Sequence, residues 1–169
     1  MHERSFFEIV PVRSGEDLAA TVALFIAYAA SLDVDLSYQD FDGELATMPG
    51  QYAPPEGELL LARALDGRPL GCVALRPIEP PGSGDRACCE MKRLYVSPLA
   101  RGFGLGKALA EALVDAARRI GYREMRLDSL PSMTGAQALY RKLGFVVAEP
   151  YYDTPIPGTL FMRRVLEPL

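Results

Sequence analysis

CCEMKRLYVSPLARGFGLGKALAEALVDAARRIG, residues 88–121, is the stretch on which the fold turns. Cys88 to Val96 reads as a strand, and Ser97-Pro98 stops it, because proline brings no N–H to a ladder. Leu105, Leu109, Leu113, Ala116 and Ile120 recur at three- and four-residue steps, which predicts a helix over 105–120. Gly121 ends that helix. Between strand and helix stands Arg101-Gly102-Phe103-Gly104-Leu105-Gly106. Its glycines let the backbone turn sharply and approach a ligand with no Cβ atoms in the way. The first helical turn has N–H groups without intrahelical partners, and the macrodipole adds partial positive charge there. Together these make an anion site suited to phosphate, with Arg101 and Lys107 on either side to add charge-assisted contacts.

Three alternating glycines exceed what a plain strand–helix connection needs. Spacing tests two other phosphate-binding designs. A P-loop needs GxxxxGK and then Ser or Thr, but Arg101 replaces the first glycine and Ala108 follows Lys107. A dinucleotide fold needs GxGxxG, and Lys107 stands three after Gly104. Asp128 lies about where a ribose-binding acid would, yet such glycines should open the first βαβ unit of the chain. A nicotinamide cofactor is therefore a weak alternative.

Working outward, Phe6 to Arg13 reads as a first strand. Ser14 is placed as an N-cap, with Asp17 three residues on. A helix follows over Glu16 to Leu32, its stripe being Leu18, Val22, Phe25, Ile26 and Ala29. Residues 33–57 are turn-rich, with a short helix around Asp42 to Met48. Glu58 to Leu65 and Leu70 to Ile78 flank Asp66-Gly-Arg-Pro69 as a β-hairpin, and Pro80 to Asp85 is a loop. Beyond residue 121 come a strand over Tyr122 to Leu130 and a helix over Thr134 to Leu143, closed by Gly144. Two last strands cover Phe145 to Tyr152 and Thr159 to Leu166. Helices interleave with hairpins, so the expectation is a mixed sheet in an α/β (α+β layered) fold, with residues 1–169 as one domain.

Composition removes several function classes. The chain of 169 residues carries a formal net charge of −4, so there is no global basic field for nucleic acid. The one histidine is His2, which argues against a His-based triad, a His general base and a His-rich metal site. Cys72, Cys88 and Cys89 are odd in number and lack CxxC spacing, which suits neither an ordinary disulfide nor a zinc knuckle. No metal is expected. Without a basic-then-apolar leader or a long apolar run, the reading is a soluble, reduced, cytoplasmic protein with no membrane partner.

Arg-x-x-Gly-x-Gly at 101–106, after a strand and before an apolar helix, resembles the acetyl-CoA signature of the GNAT superfamily of N-acetyltransferases. Ala136-Gln-Ala-Leu-Tyr-Arg-Lys-Leu-Gly-Phe145 is similar to that superfamily's AxxLYxKxGF element, and the element order also matches. The resemblance implies a mostly antiparallel central sheet of about seven strands flanked by helices. It implies transfer of acetyl from acetyl-CoA to a primary amine by direct attack in a ternary complex. Leu94, Tyr95 and Val96 would pair with the pantetheine arm as with an added strand. Arg101, Gly102, Phe103, Gly104, Leu105, Gly106 and Lys107 would hold the pyrophosphate, and Tyr140 would sit near the thioester sulfur. An asparagine often precedes the second element where Met133 stands here; Ser132 or Thr134 is a candidate replacement, and Ser129 a further cofactor contact. A homodimer is a family-level expectation. A non-catalytic CoA-binding relative is the alternative reading.

Acetyl transfer needs a neutral amine, a stabilised oxyanion and a proton for the leaving thiolate. An amine of pKa ~10.4 is neutral in about one molecule per thousand near pH 7, so a base is useful. Glu90, on the strand entering the phosphate loop, is the candidate; its competing role is an ion pair with Lys92, Arg93 or a neighbouring strand. Alternation puts Glu90, Lys92, Leu94 and Val96 on one face unless a bulge intervenes. Tyr140 is the candidate general acid, its phenol of pKa ~10 donating to a thiolate of pKa ~8.5. A buried tyrosine satisfied by a backbone acceptor is the structural alternative. An oxyanion donor is expected among strand N–H groups near Leu94 or Tyr95. Cys88 and Cys89 read as small core residues.

Between Ser31 and Ala62 lie Asp33, Asp35, Asp40, Asp42, Glu44, Glu56 and Glu58, with no Lys or Arg. This stretch is either a wall that attracts a small cationic amine or amino-terminal group, with a peptide acceptor also open, or a solvated acidic loop. Tyr151-Tyr152-Asp153 is a second candidate wall, or a dimer contact.

Overall fold

The computed structural model describes residues 6–84 and 86–169; His2 and Asp85 lie outside them. Its helices and strands are β1 (Phe7–Pro11), α1 (Gly15–Ala30), α2 (Phe41–Thr47), β2 (Glu58–Ala64), β3 (Pro69–Ile78), β4 (Cys88–Val96), α3 (Leu105–Ile120), β5 (Glu124–Ser129), α4 (Thr134–Lys142), β6 (Val146–Val147) and β7 (Leu160–Val165). The strands form one sheet of seven in the order β1-β2-β3-β4-β5-β7-β6. Every neighbouring pair is antiparallel except β4 and β5. Parallel neighbours need a crossover, and α3 supplies it. With one parallel pair, the sheet is not doubly wound, and the dinucleotide alternative loses its framework.

Two apolar layers cover the sheet. Leu105, Leu109, Leu113, Val114 and Ala117 of α3 pack with Val73, Leu75, Cys89, Met91, Met125 and Leu127. On the other face Leu24 and Phe25 of α1 and Phe41 of α2 pack with Leu59, Leu61, Cys72, Ala74 and Tyr95. The periodic stripe of α3 is buried as predicted through Ala116, and only Ile120 at its end is half-exposed. In α1 the stripe is rotated. Ile26 is 51% exposed, whereas Thr21 is fully buried. The helix is apolar on most sides, so periodicity alone cannot choose a face. Thr21 can be buried because its hydroxyl donates to Asp17 O at 2.8 Å. Ser14 caps α1 as expected, accepting from Asp17 N at 3.1 Å.

The predicted strand over Phe145 to Tyr152 shrinks to Val146–Val147. One more bond, Ala148 N to Phe161 O at 2.9 Å, follows it. Pro150 then offers no donor, and the rings of Tyr151 and Tyr152 pack edge-on against Phe161. All three cysteines are buried free thiols. Among the described residues no helix is long and apolar enough to cross a membrane.

Candidate active site

The parallel pairing of β4 and β5 lasts only from Cys88–Glu90 against Glu124–Arg126. Past that point neither strand uses the other, and a cleft of about 650 Å³ opens. Its walls come from Met91–Val96 of β4, Asp128 and Leu130 at the end of β5, the glycine loop, and α4. Tyr28, Leu36, Tyr38 and Gln39 close it from the α1–α2 side.

A bulge in β4 decides which side chains face this cleft. Cys72 is opposite Tyr95 and Ala74 opposite Lys92, so Val73 alone opposes Arg93 and Leu94. Arg93 absorbs the extra residue at φ +59°, a left-handed conformation costing about 1–2 kcal/mol for a residue with Cβ. The face expected to carry Glu90, Lys92, Leu94 and Val96 is thereby split. Lys92 and Arg93 both reach Gln39 Oε1 on the α1–α2 side, at 3.0 and 2.9 Å. Leu94 and Val96 pack toward α3. Arg93 is locked by Glu44 of α2, its Nε donating to Oε2 at 2.9 Å, and by the rings of Phe41 and Tyr28.

At the other end of the cleft, Gly102 and Gly104 take φ +87° and +78°. A Cβ at either position would meet no protein atom within 4 Å. No side chain caps α3, whose first intrahelical bond is Ala108 N to Gly104 O at 3.0 Å. Among the described residues the amides of Gly102 to Lys107 have no backbone acceptor, which fits a diphosphate. Arg101 is steadied through Nε to Val96 O at 3.1 Å, which leaves its terminal nitrogens for a ligand.

Leu94, Tyr95, Val96, Arg101, Gly102, Gly104, Leu105, Gly106 and Tyr140 all line the cleft. Four other expected cofactor contacts, Phe103, Lys107, Ser129 and Ser132, are not part of the cleft lining. Phe103 is 64% exposed and lies edge-on to Phe6. Lys107 lies 3.9 Å from Glu111, Ser129 is buried beside Gln137, and Ser132 is exposed. Met133, in the asparagine's place, lines the cleft and makes no capping bond.

Tyr140 is 7% exposed, and its ring lies edge-on to Phe145. Among the described residues its hydroxyl has no hydrogen-bond partner, yet it is not sealed from solvent, so it opens on the cleft. Burial, with smaller contributions from Tyr28 and Asp128, raises its pKa. Glu90 is fully buried and is not part of the cleft wall. Its Oε1 accepts from Arg76 Nε at 2.7 Å, and its Oε2 accepts from the Tyr151 hydroxyl. Asp128 does line the cleft, with Oδ2 accepting from the Tyr152 hydroxyl. Burial first, then the partner carboxylate, raises both tyrosine pKa values. None of the seven acids of residues 31–62 lines the cleft. Glu44 is consumed by Arg93 and Glu58 by Arg13.

Lys92, Arg93, Gln39, Tyr28 and Tyr38 were not legible as cleft residues. Two adjacent cations inside an apolar strand were the one available signal, and the bulge that turns both inward is a tertiary feature.

The model of the Acetyltransferase (GNAT) family matches residues 24–145. This chain belongs to the GNAT family. It is 40% identical to an uncharacterized N-acetyltransferase of Schizosaccharomyces pombe over 163 residues, covering 96% of this chain and 97% of that one. Among solved GNAT structures, an acetyltransferase of Staphylococcus aureus superposes with a TM-score of 0.74 at 16% identity, over 95% of this chain and 99% of that one. The yncA protein of Salmonella typhimurium, solved with its cofactor acetyl-CoA, superposes with a TM-score of 0.72 at 20% identity, over 96% of this chain and 95% of that one. The GNAT assignment makes this an N-acetyltransferase, with the expected mixed seven-stranded sheet and flanking helices.

Proposed function

We propose that this GNAT enzyme transfers acetyl from acetyl-CoA to a primary amine by direct attack in a ternary complex. The observation that carries the reading is one continuous cleft. It joins the uncapped, glycine-bordered amides of α3 to a tyrosine hydroxyl that has no hydrogen-bond partner among the described residues.

The N–H groups opening α3 and the Arg101 guanidinium hold the diphosphate. The unpaired edge of β4 past Glu90 receives the pantetheine arm as an added strand. A β4 amide near Leu94 or Tyr95 supports the oxyanion. Asp128 receives the acceptor ammonium and takes one of its protons, which frees the lone pair that attacks; a second proton leaves as the C–N bond forms, and Asp128 passes each to solvent in turn. Tyr140 gives its proton to the thiolate as the C–S bond breaks and is reprotonated from solvent. This phenol is protonated at neutral pH, as an acid requires, and burial makes it a weaker donor than a free phenol. Glu90, first read as the base, takes a positioning role here, because both its oxygens are engaged and it stands behind the wall. It holds Tyr151 and Arg76, and Tyr151 packs against Tyr152, the partner of Asp128.

Calorimetry with acetyl-CoA and with NAD, followed by acceptor-dependent thiol release over an amine panel, tests this reading. Acetyl-CoA binding and amine-dependent release are expected. Acetyl-CoA bound without release for any amine would leave a non-catalytic relative instead.

A further inference from the structure

Lys92 is a buried cation with no carboxylate within ion-pair distance among the described residues. It is 6% exposed and lines the cleft. Its ammonium has three donors, and the one side-chain partner among the described residues is the neutral Gln39 Oε1 at 3.0 Å. An uncompensated ammonium in such a place is costly unless a counter-charge arrives. Burial pulls its pKa down; Glu90 and Asp128 push it up, and Arg93 and Arg76 reinforce the fall.

The charges of the cleft wall narrow what that counter-charge is. Lys92, Arg93 and Arg101 are its cations and Asp128 its carboxylate. Arg93 is neutralised by Glu44, and Arg101 belongs to the phosphate end. Lys92 and Asp128 remain, opposite in sign and on neighbouring strands, yet not paired with each other. Neutral side chains hold them apart: Gln39 anchors the Lys92 ammonium, and the Tyr152 hydroxyl anchors Asp128 Oδ2. A pair of opposite charges kept separate in one cleft is the complement of a zwitterion. The acidic stretch that pointed to a purely cationic acceptor contributes no carboxylate to this wall.

We propose that the acceptor is an amino acid, with its ammonium at Asp128 and its carboxylate at Lys92. This rests on the N-acetyltransferase reading above and makes Lys92 a specificity-determining residue.

The test is thiol release at saturating acetyl-CoA over the standard amino acids and γ-aminobutyrate, each beside its carboxamide and its decarboxylated amine. At least one amino acid should exceed both neutralised counterparts by roughly tenfold to a hundredfold in kcat/KM, the scale of one charged hydrogen bond. Lys92→Gln keeps a donor for Gln39 and removes the charge, so that ratio should collapse toward unity; Lys92→Arg should restore most of it. Calorimetric binding of acetyl-CoA to each variant reports that the fold is intact. Equal or better use of decarboxylated amines by the parent overturns this proposal alone. So does an unchanged ratio in Lys92→Gln with kcat lowered for every acceptor, since Lys92 would then serve the acetyl group or the fold. No release with any amine overturns both this and the transferase reading.

Discussion

The alternative role for Tyr140 is that of a core tyrosine; against it, among the described residues its hydroxyl has no hydrogen-bond partner while its ring is packed on Phe145. If it gives the thiolate its proton, Tyr140→Phe removes one oxygen that the fold does not use. Turnover should fall by roughly a hundredfold or more, with acetyl-CoA affinity changed by no more than about threefold. Rapid-quench kinetics beside calorimetry separates the two quantities, and unchanged turnover removes Tyr140 from the chemistry. The two carboxylates differ in a similarly checkable way. Asp128→Asn should raise the acceptor KM and flatten the acid limb of the pH–rate profile, because the group that receives the ammonium has gone. Glu90→Gln should leave that limb in place and instead lower thermal stability, since Arg76 and Tyr151 lose a charged partner inside the protein. A pH profile altered by Glu90→Gln and not by Asp128→Asn would return the base to Glu90. The residue types at 90, 128 and 140 could be read from the chain. Which carboxylate faces the cleft could not, since both lie at strand positions of ordinary appearance.

The strand–loop–helix unit from β4 to α3 is the element to which we assign cofactor binding, and its glycines separate two effects. At Gly104 the space a side chain would fill is open, so a substitution there costs little by collision with protein. Gly104→Ala should destabilise by about 1 kcal/mol through its positive φ, yet weaken acetyl-CoA by roughly tenfold by projecting a methyl toward the diphosphate and straining the amides. Differential scanning fluorimetry and calorimetry on the same sample check both halves; intact affinity would move the phosphate site elsewhere. The bulge is the second element of consequence. It turns Arg93 onto Glu44, and that contact ties α2 to the sheet. Glu44→Gln leaves a buried guanidinium uncompensated and should cost about 3–5 kcal/mol, read from urea denaturation.

Across the described residues, several tyrosines and the cysteines are buried in their protonated forms. Tyr28 is pushed up to about 12 by burial, offset by Arg93. Burial, with a smaller contribution from Glu124, lifts the Cys88 thiol to about 12, and Tyr140, Tyr151 and Tyr152 also shift upward. A folded-state pKa above the unfolded value contributes stability below the unfolded pKa and loses it as pH rises toward the folded one. The unfolded thiols and phenols titrate near ~8.5 and ~10, so Tm should decline steadily above about pH 9. Lys92, shifted downward, acts in the opposite sense but is a single group. The same burial should keep all three cysteines unreactive toward a thiol reagent until the protein unfolds. A flat Tm through alkaline pH would refute this account.

The local chemistry of the chain determined most of its strands, its α3 stripe, the Ser14 cap and the glycine turn before α3, because periodicity, proline and glycine act over a few residues. It also supplied the two separated motifs that pointed to the GNAT family. Only the tertiary structure decided which face of α1 is buried, where β4 bulges, where β5 leaves its neighbour and which charges meet in the opening. Those outcomes depend on register between strands far apart in sequence, and a one-residue slip in register turns a side chain from one face to the other.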